Sequence, residues 1–179
     1  MPSVFWLPQD DTSVVVLTSA PSALVQADDS QPSLPVGTET IDEQGVHAIF
    51  QLGNGEQVQL LTTGSAPVAA VIPLDLDGFD RLQAVHRLLA ELHGRAIPAD
   101  TRITRQQRAR AKRMLRAVDG ARDGATQQDL AQTLFRTGDL DRDEWQASSA
   151  RHAIKSLLRD ARVMIAGGYR RLLRHHRRS

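Results

Sequence analysis

The sequence predicts an α+β protein, with an antiparallel β meander or hairpins in the N-terminal part and a helical C-terminal half with a helix-turn-helix-like unit. Two observations carry this prediction. Short apolar runs separated by turn residues fill the first 75 residues, whereas apolar residues recur with the helical period of 3.6 after Asp77. The charge changes nearby, because the first 80 residues hold 11 carboxylates and no lysine or arginine. We expect one compact unit with an acidic β-rich subdomain at residues 1–76 and an arginine-rich helical DNA-binding subdomain at residues 77–179.

Runs of β-branched and aromatic residues predict the strands. The predicted strands are Val4–Leu7, Ser13–Leu17, Val46–Leu52, Gln57–Leu61 and Ala66–Leu74. The third and fourth form the clearest hairpin, because Gly53, Asn54 and Gly55 between them tolerate the positive φ of a tight turn. The last strand contains Pro67 and Pro73, which favours a sheet edge. Residues 19–44 are rich in Ser, Asp, Thr and Pro and predict a surface loop.

One amphipathic helix is predicted directly after the strands. It begins near Asp77 or Asp80, because acidic residues favour the first turn, and it ends at Gly94. Its apolar residues recur at helical spacing, so we expect this face to pack on the sheet. The residues of the face are Phe79, Leu82, Val85, Leu89 and Leu92.

Two further helices are predicted from their caps. The helix Thr104–Val118 begins at a threonine cap and ends before Gly120. A short helix follows, opened by a capping box of Thr126 and Asp129 and ending near Gly138.

The last long helix begins at Ser148 or Ser149 and reaches Ala166, where two glycines follow. Residues 136–147 form a long connection before it. Its apolar residues recur at i, i+3, i+4 and i+7, which predicts one buried stripe. The stripe comprises Ala150, Ala153, Ile154, Leu157, Leu158, Ala161, Met164 and Ile165.

The basic residues are confined to the second part of the chain. Residues 81–179 hold all 22 basic residues and 10 carboxylates, a net charge of +12. Only Lys112 and Lys155 are lysines. This asymmetry predicts a polyanionic partner, although the acidic part could instead neutralise the basic part within the fold.

Composition also excludes several classes of protein. With no cysteine, the chain has no disulfide, no thiolate nucleophile and no cysteine zinc site. No run approaches the roughly 20 apolar residues of a membrane span, and Met1–Trp6 lacks the pattern of a signal peptide. We expect a cytoplasmic protein that makes no contact with a membrane.

The last three predicted helices have the order of a three-helix DNA-binding unit, in which a helix N-terminus and one polar face enter the major groove. Free N–H groups at that N-terminus suit a phosphate, and arginine can bind guanine edges in bidentate fashion. The candidate DNA-binding residues are Ser148, Ser149, Arg151, His152, Lys155, Arg159 and Arg162, with further phosphate contacts from Arg105, Arg108 and Lys112. The alternative is that these cations form a solvated helix face.

Other candidate sites lack a necessary residue. Asp139, Asp141 and Asp143 resemble the start of a calcium loop, but that loop requires a Gly where Glu144 stands. His86 and His93 have no third metal ligand nearby in sequence, and the serines at the start of the last helix are explained as caps. We therefore expect no metal, no cofactor and no enzymatic activity.

Four strings together resemble the RovC-like DNA-binding domain family of proteobacteria. They are Val4–Pro8, Leu115–Gly120, Trp145–Arg151 and Gly167–Leu173. The resemblance implies a transcription-factor-like role, linked to type VI secretion genes and to excision or transfer of integrative conjugative elements. It places the DNA-facing helix on Ser148, Ser149, Arg151 and Lys155.

Two functions are compatible with this resemblance. The first is a transcriptional regulator that binds double-stranded DNA. The second is an antiactivator that binds another regulator protein without catalysis, because some small members of the family act in that way. Self-association is compatible with either function.

Overall fold

Five strands precede the first α-helix in the computed structural model of the chain, which describes residues 4–25 and 37–174. They form one sheet in the order β2-β3-β4-β1-β5, where the strands are β1 (Val15–Ser19), β2 (Glu39–Asp42), β3 (Gly45–Gln51), β4 (Gln57–Thr62) and β5 (Val68–Val71). The predicted α+β class is confirmed. The predicted hairpin is confirmed as β3 and β4, and the predicted edge strand as β5.

The sheet is mixed, which differs in one pairing from the predicted antiparallel meander. β1 runs parallel to β4, with Val15 beside Leu60, and antiparallel to β5 on its other side. The residues from Val14 to Leu17 are all apolar, and a continuous apolar run suits an interior strand covered on both faces. Composition therefore accounts for the interior position of β1 but did not predict its direction.

The predicted strand Val4–Leu7 is wrong, because these residues are irregular. The backbone N–H of Trp6 donates to Gln59 Oε1 at 2.8 Å, and its carbonyl accepts from Gln59 Nε2 at 2.7 Å. A side-chain amide on β4 thus takes the place of a neighbouring strand. The prediction of a loop over residues 19–44 is wrong at its end, where β2 pairs with β3.

One face of the sheet holds the first hydrophobic core. Buried residues of three strands, among them Leu17, Phe50 and Leu60, pack together with Ala84 and Leu88 of helix α1 (Gly78–Leu92). The bounds of α1 agree with the predicted helix, and Gly94 beyond its end has a φ of +60°.

The predicted packing face of α1 is wrong for three of its five residues. Phe79, Leu82 and Leu89 are exposed, whereas Val85 and Leu92 pack against the core beside Ala84 and Leu88. The helix carries apolar residues on two faces, and periodicity alone does not distinguish the face that meets the sheet.

Four more helices enclose a second hydrophobic core. They are α2 (Arg105–Arg122), α3 (Gln127–Phe135), α4 (Arg142–Ala147) and α5 (Ser149–Ile165). Its buried residues are Ala117, Leu130, Ala131, Ile154, Leu157 and Leu158. The predicted stripe of α5 is confirmed at its centre, but Ala153 and Ile165 are exposed.

Two predicted helix ends are displaced. α2 continues through Gly120, where a Cβ atom would lie 2.7 Å from Leu130 Cδ2, so this glycine permits close packing on α3 instead of ending the helix. α3 ends before Gly138, because Arg136 adopts a left-handed conformation with φ of 55°.

The chain divides into two compact units. The first consists of residues 1–102 and 172–179, and the second of residues 103–171. α1 belongs to the first unit together with the sheet, whereas the boundary predicted from composition falls at residue 76. No helix within residues 4–25 and 37–174 combines the length and hydropathy needed to cross a bilayer.

Candidate nucleic-acid interface

Ser148 connects α4 to α5 through its hydroxyl. Its Oγ accepts a hydrogen bond from the backbone N–H of Arg151 at 3.2 Å and donates to the carbonyl of Trp145 at 2.9 Å. Of the two serines predicted to begin this helix, Ser148 is the N-cap, and Trp145 packs against the second core. Because its hydroxyl already makes both bonds, Ser148 orients the start of α5, and Ser149 is the exposed serine of the pair.

The polar side of α5 carries the predicted cations. His152, Lys155, Arg159 and Arg162 are exposed, on the side away from buried Ile154, Leu157, Leu158 and Ala161. Arg151 is half-buried, and its guanidinium donates to the carbonyl of Gln146 at 3.3 Å, near the end of α4. The structure thus places the predicted residues on one polar side of α5, with Arg151 partly engaged by the preceding helix.

Asp160 joins α5 to α2. Its Oδ2 accepts from Arg110 at 2.5 Å, and its Oδ1 accepts from Arg159 at 3.2 Å. The hydrogen bond from Arg110, followed by that from Arg159, lowers the pKa of the Asp160 carboxyl below its ordinary value. Arg159 is therefore partly neutralised, whereas no carboxylate in the described part of the chain pairs with Lys155 or Arg162.

α2 carries a second row of cations. Arg105, Arg108 and Lys112 are exposed, as is Arg116, which was not among the predicted phosphate contacts. Their spacings of three, four and four residues place them on one helix face, which we call the α2 basic row. Arg116 follows Lys112 by one turn, a signal present in the sequence. Across residues 4–25 and 37–174, none of the four forms an ion pair.

The segment between α3 and α5 is ordered by hydrogen bonds to α3. The side chain of Gln128 donates to the carbonyl of Leu140 at 2.7 Å, and that of Gln132 donates to Asp139 Oδ1 at 2.9 Å. Asp141 caps α4 in a capping box with Glu144. Asp139 thus serves as a tether and Asp141 as a cap, and the described residues contain no cluster of three potential metal ligands.

The second unit is strongly basic as a whole. Residues 103–171 contain 15 basic residues and eight carboxylates, a net charge of +7. α2 alone holds seven of the basic residues and one carboxylate. Two exposed rows of cations on a net-positive unit can bind a polyanion through many phosphates at once.

A separate cluster of ionised groups lies in the first unit. Arg102 donates to Asp100 and to Asp11, each at 2.7 Å, and Arg87 lies 3.6 Å from Asp100. Burial raises the pKa of the Asp100 carboxyl, but hydrogen bonds from Arg102 outweigh it and hold this pKa at about 2. Each charge is compensated by a partner, so the cluster is a structural ion-pair network rather than a reactive site.

Comparison with known protein families identifies the helical part of the chain. Residues 71–174 match the RovC DNA-binding domain family model, described as "T6SS, Transcription factor, DNA binding domain". The match covers more than half of the chain and contains all five α-helices. Three of the four resembling strings lie inside it, and Val4–Pro8 lies outside. No curated protein matches the chain.

Proposed function

Because the chain belongs to the RovC family of T6SS transcription factor DNA-binding domains, we propose that it regulates transcription by sequence-specific binding to double-stranded DNA. In this proposal the N-terminal half of α5 enters the major groove, and α3, the connecting segment and α5 act as a helix-turn-helix-like unit. The regulated genes are those of a secretion system or an integrative conjugative element. The protein acts in the cytoplasm, and no catalytic step is needed.

One observation carries the proposal beyond the family. Lys155 and Arg162 are exposed on the polar side of α5 without a carboxylate partner among the described residues, and the α2 basic row is exposed as well. A solvated structural face would gain from pairing its cations with nearby carboxylates, as Arg110 and Arg159 do with Asp160. Cations without such partners keep their full attraction for phosphates.

The cations of α5 and those of the α2 basic row have different roles in this proposal. His152 and Lys155 lie on the first turns of α5, where a groove-docked helix contacts base edges. Arg105, Arg108, Lys112 and Arg116 contact phosphates, which gives affinity and fixes the orientation without reading sequence. Arg151 supports α4 and contacts DNA with the part of its guanidinium that remains accessible.

The proposal is tested by fluorescence anisotropy with labelled genomic-fragment duplexes at two salt concentrations. Lys155→Ala and Arg162→Ala each weaken binding, because each removes an accessible cation, and a lost base contact costs roughly 1–3 kcal/mol. Arg95→Ala removes an exposed arginine of the first unit and is the matched control.

Equal affinity of all three variants and wild type would exclude α5 as the DNA-binding face. Weak DNA binding together with a tight complex with another regulator protein would support the antiactivator function instead.

A further inference from the structure

The outward face of α1 is apolar. Phe79, Leu82 and Leu89 are 63%, 51% and 47% exposed, and His86 and His93 on the same face are exposed as well. We call these five residues the α1 seam. Monomeric proteins rarely leave several large apolar side chains together in water, so such a face marks an interaction surface.

The charged residues of α1 lie away from the seam. Asp80 and Arg87 are buried, Arg81 donates to the carbonyl of Pro8 at 2.7 Å, and Glu91 accepts from the backbone N–H of Gly53 at 2.8 Å. A surface helix ordinarily turns its charges to solvent and its apolar residues to the core. The charged side chains of α1 are instead buried or hydrogen-bonded within the first unit, and its outward face carries no Asp, Glu, Lys or Arg.

The spacing of the seam is that of a helix–helix contact. Positions 79, 82, 86, 89 and 93 are separated by three, four, three and four residues, as are the a and d positions of a heptad. A neutral apolar face carries no cation that would attract phosphates, so we do not expect it to bind nucleic acid. The spacing fits a second helix that carries the same pattern.

Charges at the two ends of α1 indicate which helix fits. Asp75 precedes the helix and Arg95 follows it, and both are exposed without an ion-pair partner among the described residues, whereas Asp77 pairs with Arg174 at 3.3 Å. If a second copy of α1 lies antiparallel, the acidic end of each copy meets the basic end of the other. The helix dipoles then oppose each other as well, which is the favourable arrangement. A parallel pair would place like charges together at both ends.

We propose that the α1 seam binds the α1 seam of a second copy of this chain, as an antiparallel helix pair centred on His86. Leu82 of each copy then packs against Leu89 of the other. This proposal stands independently of the proposed DNA binding.

The expected affinity is modest. α1 has 15 residues and is therefore about 22 Å long, so the pair alone buries less than the roughly 800 Å² per partner of a standard interface. Leu74 and Leu76, which are 104% and 72% exposed beside the helix, extend the apolar area. We expect a weak, reversible dimer.

Sedimentation equilibrium over a range of concentrations tests the proposal. The wild-type mass rises towards twice the 19.7 kDa of one chain. Leu82→Glu weakens association at least about tenfold, because it buries a carboxylate in an apolar contact without a partner. Leu115→Glu makes the same change at a leucine on α2 that is 60% exposed, and it leaves association unchanged. Circular dichroism checks that the variants are folded.

A disulfide experiment tests the geometry. Because the chain lacks cysteine, His86→Cys introduces a single thiol, and the symmetric centre of the pair brings two of them together. Oxidation with copper phenanthroline then gives a covalent dimer, whereas Glu43→Cys, in the turn between β2 and β3, does not.

A single-chain mass at every concentration would overturn the proposal, as would unchanged association of Leu82→Glu. Failure of His86→Cys to cross-link more than the control would exclude the antiparallel arrangement.

Discussion

Arg102 shows how much of the first unit depends on one guanidinium. It donates to Asp100 and Asp11, which lie 2 and 91 residues away in sequence, and reaches the carbonyl of Leu173 at 3.5 Å. Only the nearer of these two partners is close to Arg102 in sequence. Asp11 lies in a segment with no regular structure, so its contact with Arg102 depends on the folded chain and has no local signal.

The depressed pKa of Asp100 makes the stability of the first unit depend on pH. The pKa is about 2 in the folded protein against an ordinary value of 3.8. A carboxylate with a lowered folded pKa stabilises the fold above its ordinary pKa, and this stabilisation is lost as the pH falls towards the folded value.

We predict that Asp100→Asn lowers the free energy of unfolding of the first unit by about 1–2 kcal/mol at pH 7, after allowance for solvent screening. The difference from wild type shrinks as the pH falls from about 4 to about 2, because the wild-type carboxyl then becomes neutral too. Urea unfolding at pH 7, 4 and 2.5 measures it, with Glu43→Gln on the exposed hairpin turn as the control. A difference that is constant with pH would contradict the ion-pair explanation.

Among the helices, α4 is the one whose formation is most clearly explained by adjacent residues. Asp141 Oδ1 accepts hydrogen bonds from the backbone N–H groups of Asp143 and Glu144 at 2.9 and 2.8 Å. The backbone N–H of Asp141 in turn donates to the carboxylate of Glu144. A helix of six residues has few internal hydrogen bonds, so its cap supplies a large share of its stability. α4 in turn positions Trp145 and the start of α5.

Two substitutions of Asp141 separate capping from charge. We predict that Asp141→Ala lowers the free energy of unfolding by about 1 kcal/mol, whereas Asp141→Ser keeps the cap and changes stability little. Both remove a negative charge from the basic helical unit, so both tighten DNA binding under the proposed function. Thermal melting and anisotropy check the two effects. Equal melting of the two variants would show that the cap does not stabilise α4.

Short sequence patterns predicted where helices begin, but they did not predict which faces and strands pack together in the fold. Thr104, Thr126 and Ser148 were identified as caps because a cap is a property of a few adjacent residues. The packing face of α1 and the parallel pairing of β1 depend on residues far away in sequence. α4 was missed because its apolar content is low, although its capping box was visible in the sequence.

In the candidate interface, too, the sequence predicted what depends on helical spacing and not what depends on neighbouring side chains. The cations of α5 were predicted from their spacing, and the structure places them on the polar side of that helix. Arg116 was missed although it continues the α2 basic row. The partial burial of Arg151 and the pairing of Arg159 with Asp160 depend on neighbouring side chains, so spacing did not predict them.

Charge is divided unequally between the two units of the chain. The first unit has a net charge of −6 and the second of +7. In the first unit, Arg87 pairs with Glu56 and Arg102 with Asp11, so some arginines do neutralise N-terminal carboxylates. The second unit keeps Lys155, Arg162 and the α2 basic row exposed.

This division predicts a steep salt dependence. If Arg162 and the four cations of the α2 basic row each neutralise one phosphate, the logarithm of the DNA association constant falls with the logarithm of salt concentration with a slope of about −4.5. Each alanine substitution in the α2 basic row reduces the slope by about one without changing sequence preference. Anisotropy titrations at four salt concentrations measure it. A slope near zero would exclude binding through these rows.

The chain leaves the first unit after Arg102 and returns to it at Leu172, and hydrogen bonds from Arg102 and Thr12 hold the carbonyl of Leu173 at 3.5 and 3.3 Å. The two ends of the helical unit are thus fastened to one small region. Residues 103–171 therefore have the topology of a domain inserted into another, because the chain leaves and rejoins the first unit at neighbouring points. Recombination at these two points could exchange the helical unit for another while the sheet and its ion-pair network stay intact.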